Sequence, residues 1–127
     1  MSDADPGPGR GQETPAARQL VLLDLDGTVY EAGVLVPGAA EALAALRADG
    51  HVLRLCTNTD SQSTGGLLAW LQGMGLDARP GELFTPVTAA RRLLGESDEA
   101  RALLLVSRAV AAELGEACQV TLQSSPA

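Results

Sequence analysis

Lysine is missing from this chain altogether: its nine cationic side chains are all arginines, set against sixteen acids. The net charge of −7 leaves no basic stripe, which excludes a nucleic-acid backbone as partner. It does not exclude a phosphorylated small molecule, which a metal ion and backbone amides can hold. Aromatic residues are almost as scarce, at 2%, and consist of Tyr30, Trp70 and Phe84. The core must therefore be built from Leu, Val and Ala, within a hydrophobic fraction of 46%. No apolar run approaches the roughly 20 residues that span a bilayer, so no membrane partner is expected. No charged segment leading into an apolar one marks a secretory signal near Met1. Cys56 and Cys118 lack metal-ligand spacing, and Cys56 reads as a small buried hydrophobe. A disulfide between them stays open on the sequence, although the cytoplasm, the expected compartment, keeps both reduced.

At 127 residues the chain has room for one modest domain. Everything in it is arranged around residues 20–30, LVLLDLDGTVY. A short apolar run closed by a glycine predicts a strand, buried on both faces as in a parallel sheet. Carboxylates at the end of such a strand are costly unless the site uses them. Ligands of open α/β sheets bind just beyond the carboxyl ends of the strands. Asp24 and Asp26, two apart on an extended backbone, point the same way. One can attack while the other handles a proton. Their repulsion calls for a cation between them, and magnesium suits because it takes oxygen ligands and keeps part of its water shell. Gly27 lets the backbone turn sharply, so that the amides of residues 25–27 can face phosphate oxygens. An ordinary Asp-Gly turn is the plainer alternative.

Downstream, Pro37 and Gly38 open a predicted helix over 39–49, with Ala39, Leu43 and Leu46 on its buried stripe and Gly50 as its stop. His51, alone at this boundary, reads as structural or exposed and not as a ligand. A second strand over 51–57 ends in Thr57, Asn58, Thr59 and Asp60. Strand, helix, strand makes a right-handed βαβ unit, which sets Thr57 beside Asp24 at one end of the sheet. The Thr57 hydroxyl and the Asn58 amide can then hydrogen-bond a transferring phosphoryl oxygen. Taken alone, the same cluster is a helix N-cap. Ser61 or Ser63 caps a helix over 64–74, a loop covers 76–82, and 83–84 is a short strand. Thr85 and Pro86 start a helix over 87–94, where Arg91 and Arg92 suit the dipole. Past an acidic loop, 95–100, come a strand over 102–106, a helix over 109–114 and a last strand over 118–122. Glu113 and Glu116 read as a solvated helix face. Residues 1–18, rich in Pro and Gly, read as a disordered tail, and 123–127 as a second tail.

The run Asp24-Leu25-Asp26-Gly27-Thr28-Val29 resembles the first motif, DxDGT[LV], of the haloacid dehalogenase-like (HAD) phosphatases. Thr57, ending the second strand, looks like the second motif of that family. Cys56-Thr57-Asn58 and the run FTPVTAARRLL resemble its C2-capped subclass, the p-nitrophenyl phosphatase and NMP phosphatase-like members. The resemblance implies an α/β fold with a Rossmann-like parallel sheet, here incomplete, and magnesium-dependent phosphomonoester hydrolysis. It implies that Asp24 is the nucleophile that forms an aspartyl-phosphate and that Asp26 is the general acid/base. Mg2+ would bind at Asp24 and Asp26, the latter through its carbonyl, while Thr57, Asn58 and Gly27 hold the phosphoryl group. Residues 19–95 would be the N-terminal part of the core and 96–122 the start of the cap. Residues 29–36 would hold a one-turn coil and a hairpin flap, where Tyr30 reads as a packed flap residue, with contact to substrate as the alternative.

The resemblance covers residues 19 to about 116 and corresponds to the N-terminal portion of a family member. The third motif supplies a Lys or Arg, and this chain has no Lys. Asp98 and Glu99 precede an apolar strand, whereas the acidic metal ligands of the fourth motif follow one. The nucleophile strand of the family has neighbours on both sides. Here the second and third strands lie on one side, so the first is expected to be an exposed apolar edge that invites self-association. Losing the other metal ligands is expected to slow phosphoryl transfer by several powers of ten. Two readings therefore stand together: a HAD-like hydrolase, and a truncated or degenerate HAD fragment without catalysis, a binding module or an inactive product. A phosphoacceptor receiver domain fits less well, because it needs its acceptor on a later strand and a downstream Lys.

Overall fold

The computed structural model describes residues 17–122, so the expected tails, 1–18 and 123–127, lie outside the described residues except for 17 and 18. In chain order the elements are β1 (Leu20–Asp24), β2 (Tyr30–Glu31), β3 (Val34–Leu35), α1 (Ala39–Ala48), β4 (Val52–Cys56), α2 (Thr64–Gly73), a 3-10 turn (Pro80–Glu82), β5 (Leu83–Phe84), α3 (Pro86–Gly95), β6 (Arg101–Leu104), α4 (Arg108–Gly115) and β7 (Gln119–Leu122). β1, β4 and β5 form a parallel sheet in the order β1-β4-β5. Helices lie between its strands, the α/β arrangement expected for a Rossmann-like fold.

Local chemistry accounts for the helix limits. Asp49 caps α1, and Gly50 follows with φ +83. The Gly50 and His51 amides donate to the Arg47 and Leu46 carbonyls, which closes the helix with a left-handed glycine. Pro37 stands before the Gly38 cap, and thus outside the first turn where the sequence placed it. Ser63, and not Ser61, caps α2 by accepting from the Gly66 amide at 3.1 Å. Thr85 caps α3, with Pro86 at its start as expected.

One face of the sheet carries the core. Leu53, Leu55 and Leu83 pack with Leu43 of α1 and with Leu67 and Leu71 of α2, and Val21 and Leu23 of β1 lean on them. The opposite face is open: Leu20 and Leu22 are 62% and 65% exposed. This corrects the expectation that β1 is buried on both faces. An unbroken apolar run shows only that both faces are apolar, and α1 and α2 supply cover to one of them. β1 has one neighbour, β4, and is an edge strand among the described residues.

Arg47 of α1 braces the loop that leads into β5. Its guanidinium pairs with the Glu82 carboxylate at 2.6 and 2.9 Å, and both side chains are 12% exposed. A second cluster, Val87, Val110 and Leu114, joins α3 to α4. β6 and β7 pair in parallel as a separate two-stranded sheet. β6 stops at Leu104, two residues earlier than expected, and leaves Leu105 and Val106 exposed ahead of the Ser107 cap. Cys56 and Cys118 are both free thiols. No helix among the described residues is long and apolar enough to cross a membrane.

Candidate active site

The parallel register places Asp24 directly beside Cys56, and Cys56 beside Phe84. Thr57 therefore follows β4 at the level where β1 ends in Asp24. Its amide donates to the Phe84 carbonyl at 3.1 Å, which extends the ladder by one step. Beyond Asp24 the chain turns tightly. The Leu25 carbonyl accepts from the amides of Thr28, Val29 and Tyr30 at 3.2, 2.8 and 3.1 Å. Leu25 itself is fully buried, whereas Asp24 and Asp26 on either side are exposed. A buried leucine between two carboxylates turns both of them away from the core.

A cavity of about 390 Å3 lies over this strand end, lined by Asp24, Asp26, Tyr30, Thr57, Asn58 and Thr59. A neighbouring cavity of about 340 Å3 shares Asp24, Thr57 and Asn58 and adds a more apolar wall of Cys56, Phe84, Pro86 and Ala89. The structure thus brings together four of the five residues singled out from the sequence: Asp24, Asp26, Thr57 and Asn58. Gly27 is the exception. It makes the turn with φ +80, but its amide donates to the Tyr30 carbonyl at 2.7 Å and is not free to face a phosphate. The Leu25 amide donates to Asp24 Oδ1 at 2.9 Å. Of the three amides at 25–27, only that of Asp26 has no protein partner among the described residues.

Thr57 Oγ1 accepts from the Thr59 amide at 3.3 Å, which leaves its proton available to an oxygen in the cavity. Tyr30 is 9% exposed, and its ring stands edge-on to Trp70, with centroids 4.8 Å apart at 90°. Burial, and then the negative charges of Asp26 and Asp24, hold its phenol above the ordinary tyrosine value. Among the described residues no arginine lines either cavity. The donors facing Asp24 and Asp26 are all oxygen or amide groups, a set that suits a hard cation such as magnesium, which needs only one or two carboxylates besides water and a phosphate. Among the described residues no group of three or more acid, His or Cys side chains that could hold a metal gathers in one place, so a cation here would rest on the Asp24 carboxylate and the Asp26 backbone carbonyl.

Two contributions, those of Thr59 and Glu113, were not visible in the sequence, and a third, that of Tyr30, was the lesser of two readings. Thr59 is part of the lining, and only its place two residues after Thr57 hints at this. Tyr30 is packed into the hairpin as expected but also reaches the cavity wall. Glu113, read as solvated, caps α2: its carboxylate accepts from the amide of Thr64 at 2.7 Å and from the Thr64 hydroxyl. His51 takes a structural part, with Nδ1 accepting from the Gln19 amide at 3.2 Å.

A family model described as haloacid dehalogenase-like hydrolase matches residues 21–118. A bovine protein, haloacid dehalogenase-like hydrolase domain-containing protein 2, is 43% identical over 93 residues, which are 73% of this chain and 36% of that protein. Human phospholysine phosphohistidine inorganic pyrophosphate phosphatase is 33% identical over 100 residues, 76% of this chain and 37% of its own. This chain therefore spans little more than a third of the length of these curated relatives. Among solved structures, NagD from E. coli K-12 superposes with a TM-score of 0.70 at 28% identity, covering 82% of this chain and 41% of NagD. A glycerol phosphate phosphatase from Mycobacterium tuberculosis, solved in complex with magnesium, gives a TM-score of 0.66 at 27% identity, over 82% of this chain and 31% of that one.

Proposed function

Since this chain belongs to the haloacid dehalogenase-like hydrolases, we propose that it hydrolyses, or carries part of the site that hydrolyses, phosphate monoesters of small molecules. The observation that carries this reading is the shared cavity of Asp24, Asp26, Thr57 and Asn58 at the carboxyl end of a parallel sheet. A carboxylate oxygen of Asp24 attacks phosphorus, and the bond from phosphorus to the leaving oxygen breaks. Asp26 donates its proton to that oxygen, and the alcohol departs. Asp26, now a carboxylate, takes a proton from a water that attacks the aspartyl-phosphate. The bond from phosphorus to Asp24 breaks, inorganic phosphate leaves, and both acids return to their starting states. The Thr57 hydroxyl and Asn58 amide hold the phosphoryl oxygens meanwhile. Asp24 and the Asp26 carbonyl would hold Mg2+, which offsets the negative charge that builds up on the phosphoryl group.

On this reading residues 19–95 are core and 96–122 begin a C2-type cap. The compartment is the cytoplasm, where both free thiols stay reduced. A second reading, a truncated or degenerate fragment without catalysis that acts as a binding module or is inactive, is favoured by the lack, among the described residues, of an arginine on the cavity wall and of a third acid beside Asp24 and Asp26. Phosphate release from p-nitrophenyl phosphate with magnesium separates the two. The hydrolase reading expects release from the wild type and none from Asp24→Asn. Equal rates for the two proteins would remove Asp24 from the chemistry.

A further inference from the structure

The single tyrosine and the single tryptophan of this chain touch each other beside the two carboxylates. We propose that Tyr30 contacts the substrate, its hydroxyl donating a hydrogen bond to an oxygen of the phosphate ester held between Asp24 and Thr57. The proposal rests on the phosphatase reading and adds to that site a neutral donor.

Three observations support it. Tyr30 lines the cavity that holds Asp24, Asp26 and Thr57. Its ring is held in one orientation by the edge-on contact with Trp70, and Trp70 in turn lies 4.0 Å from the space a side chain at Gly33 would fill. The hairpin that carries Tyr30 thus meets α2 through the Tyr30 ring. Finally, a buried phenol ordinarily finds a hydrogen-bond partner, yet the Tyr30 hydroxyl has none in the protein among the described residues. No buried side-chain polar atom there lacks a partner, so this oxygen must be reachable by solvent. A largely buried residue on the cavity wall, whose phenol feels the charges of Asp26 and Asp24 and has no protein partner among the described residues, is positioned for a ligand oxygen. Because no arginine among the described residues lines the wall, a fixed neutral donor weighs more here than it would beside a cation.

Trp70 makes the proposal measurable, since it is the chain's one tryptophan and stands against Tyr30. Inorganic phosphate is titrated with magnesium into the wild type, Tyr30→Phe and Thr57→Val. Binding is followed by Trp70 fluorescence and, independently, by calorimetry. The expected result is binding by the wild type with a change in Trp70 emission, and about tenfold weaker binding by Tyr30→Phe. Phenylalanine keeps the ring and its contact with Trp70, so the melting temperature should not move. Unchanged affinity in Tyr30→Phe, with weakened binding in Thr57→Val, would overturn the role of Tyr30 and leave the phosphatase reading in place. A wild type that binds no phosphate by either method would overturn both.

Discussion

At the scale of single residues, the proposed mechanism divides one reaction between Asp24 and Asp26, and their removal should fail in different ways. Asp24→Asn is expected to release no phosphate. Asp26→Asn should retain a residue of activity, lowered about a hundredfold or more for an alkyl ester, because a positioned acid contributes on that scale. The loss should be smaller for p-nitrophenyl phosphate, whose leaving group needs little protonation. Comparing the two esters checks the assignment; equal losses would contradict it. Tyr30 offers a pH test, since it is the only tyrosine. Burial first, and then Asp26 and Asp24, favour its neutral form in the folded state. Its absorbance titration should have a midpoint above the ordinary 10.0, and Asp26→Asn should lower it part of the way. The stability linked to it is complete below the unfolded value and is lost as pH rises through the folded one. The two aspartates were legible in the sequence because a short apolar run and an Asp-Gly turn are local signals. The part taken by Tyr30 was left open between packing and substrate contact, because its orientation depends on Trp70, forty residues further along the chain.

At the scale of elements, the caps were the most legible feature. Thr85 with Pro86, and Gly50 after Asp49, stand where local chemistry puts them. Ser63→Ala should cost about 1 kcal/mol through the unsatisfied Gly66 amide, read from urea unfolding. The bonds that join elements were not legible, because nothing local announces them. Arg47 reaches Glu82 across 35 positions, and Glu113 reaches Thr64 across 49. Glu82→Gln removes the buried counter-charge of a mostly buried guanidinium, leaves it only the exposed Asp77 carboxylate at 3.5 Å, and should destabilise the protein by about 2 kcal/mol. A change below the error of the unfolding measurement would show that water serves Arg47 as well as the carboxylate does. β1 marks the limit of periodicity. Its apolar run predicts a buried strand, but the cover on its second face has to come from another element, and the run itself says nothing about that.

At the scale of the molecule, the sheet has one covered face and one open edge. Leu20 and Leu22 stand on the open face of β1, whose outer edge is unpaired among the described residues. Such an edge pairs readily with another strand, and we propose that a second copy of the chain occupies it. Sedimentation velocity should then show association that grows with concentration, weakened in Leu22→Lys. A monomer at every concentration would rule this out. The sheet order and the site above it followed from the strand-helix-strand pattern, whereas the packing of α3 on α4 depends on Val87, Val110 and Leu114, which are spread over both sides of the acidic loop. The account as a whole rests on a phosphoryl group reaching Asp24 where β1 ends. Acid quenching during turnover of p-nitrophenyl phosphate with magnesium, followed by borohydride reduction and peptide mass spectrometry, reads this directly. Homoserine at position 24 is the expected result; phosphate release with aspartate unmodified there, or no phosphate released at all, would contradict it.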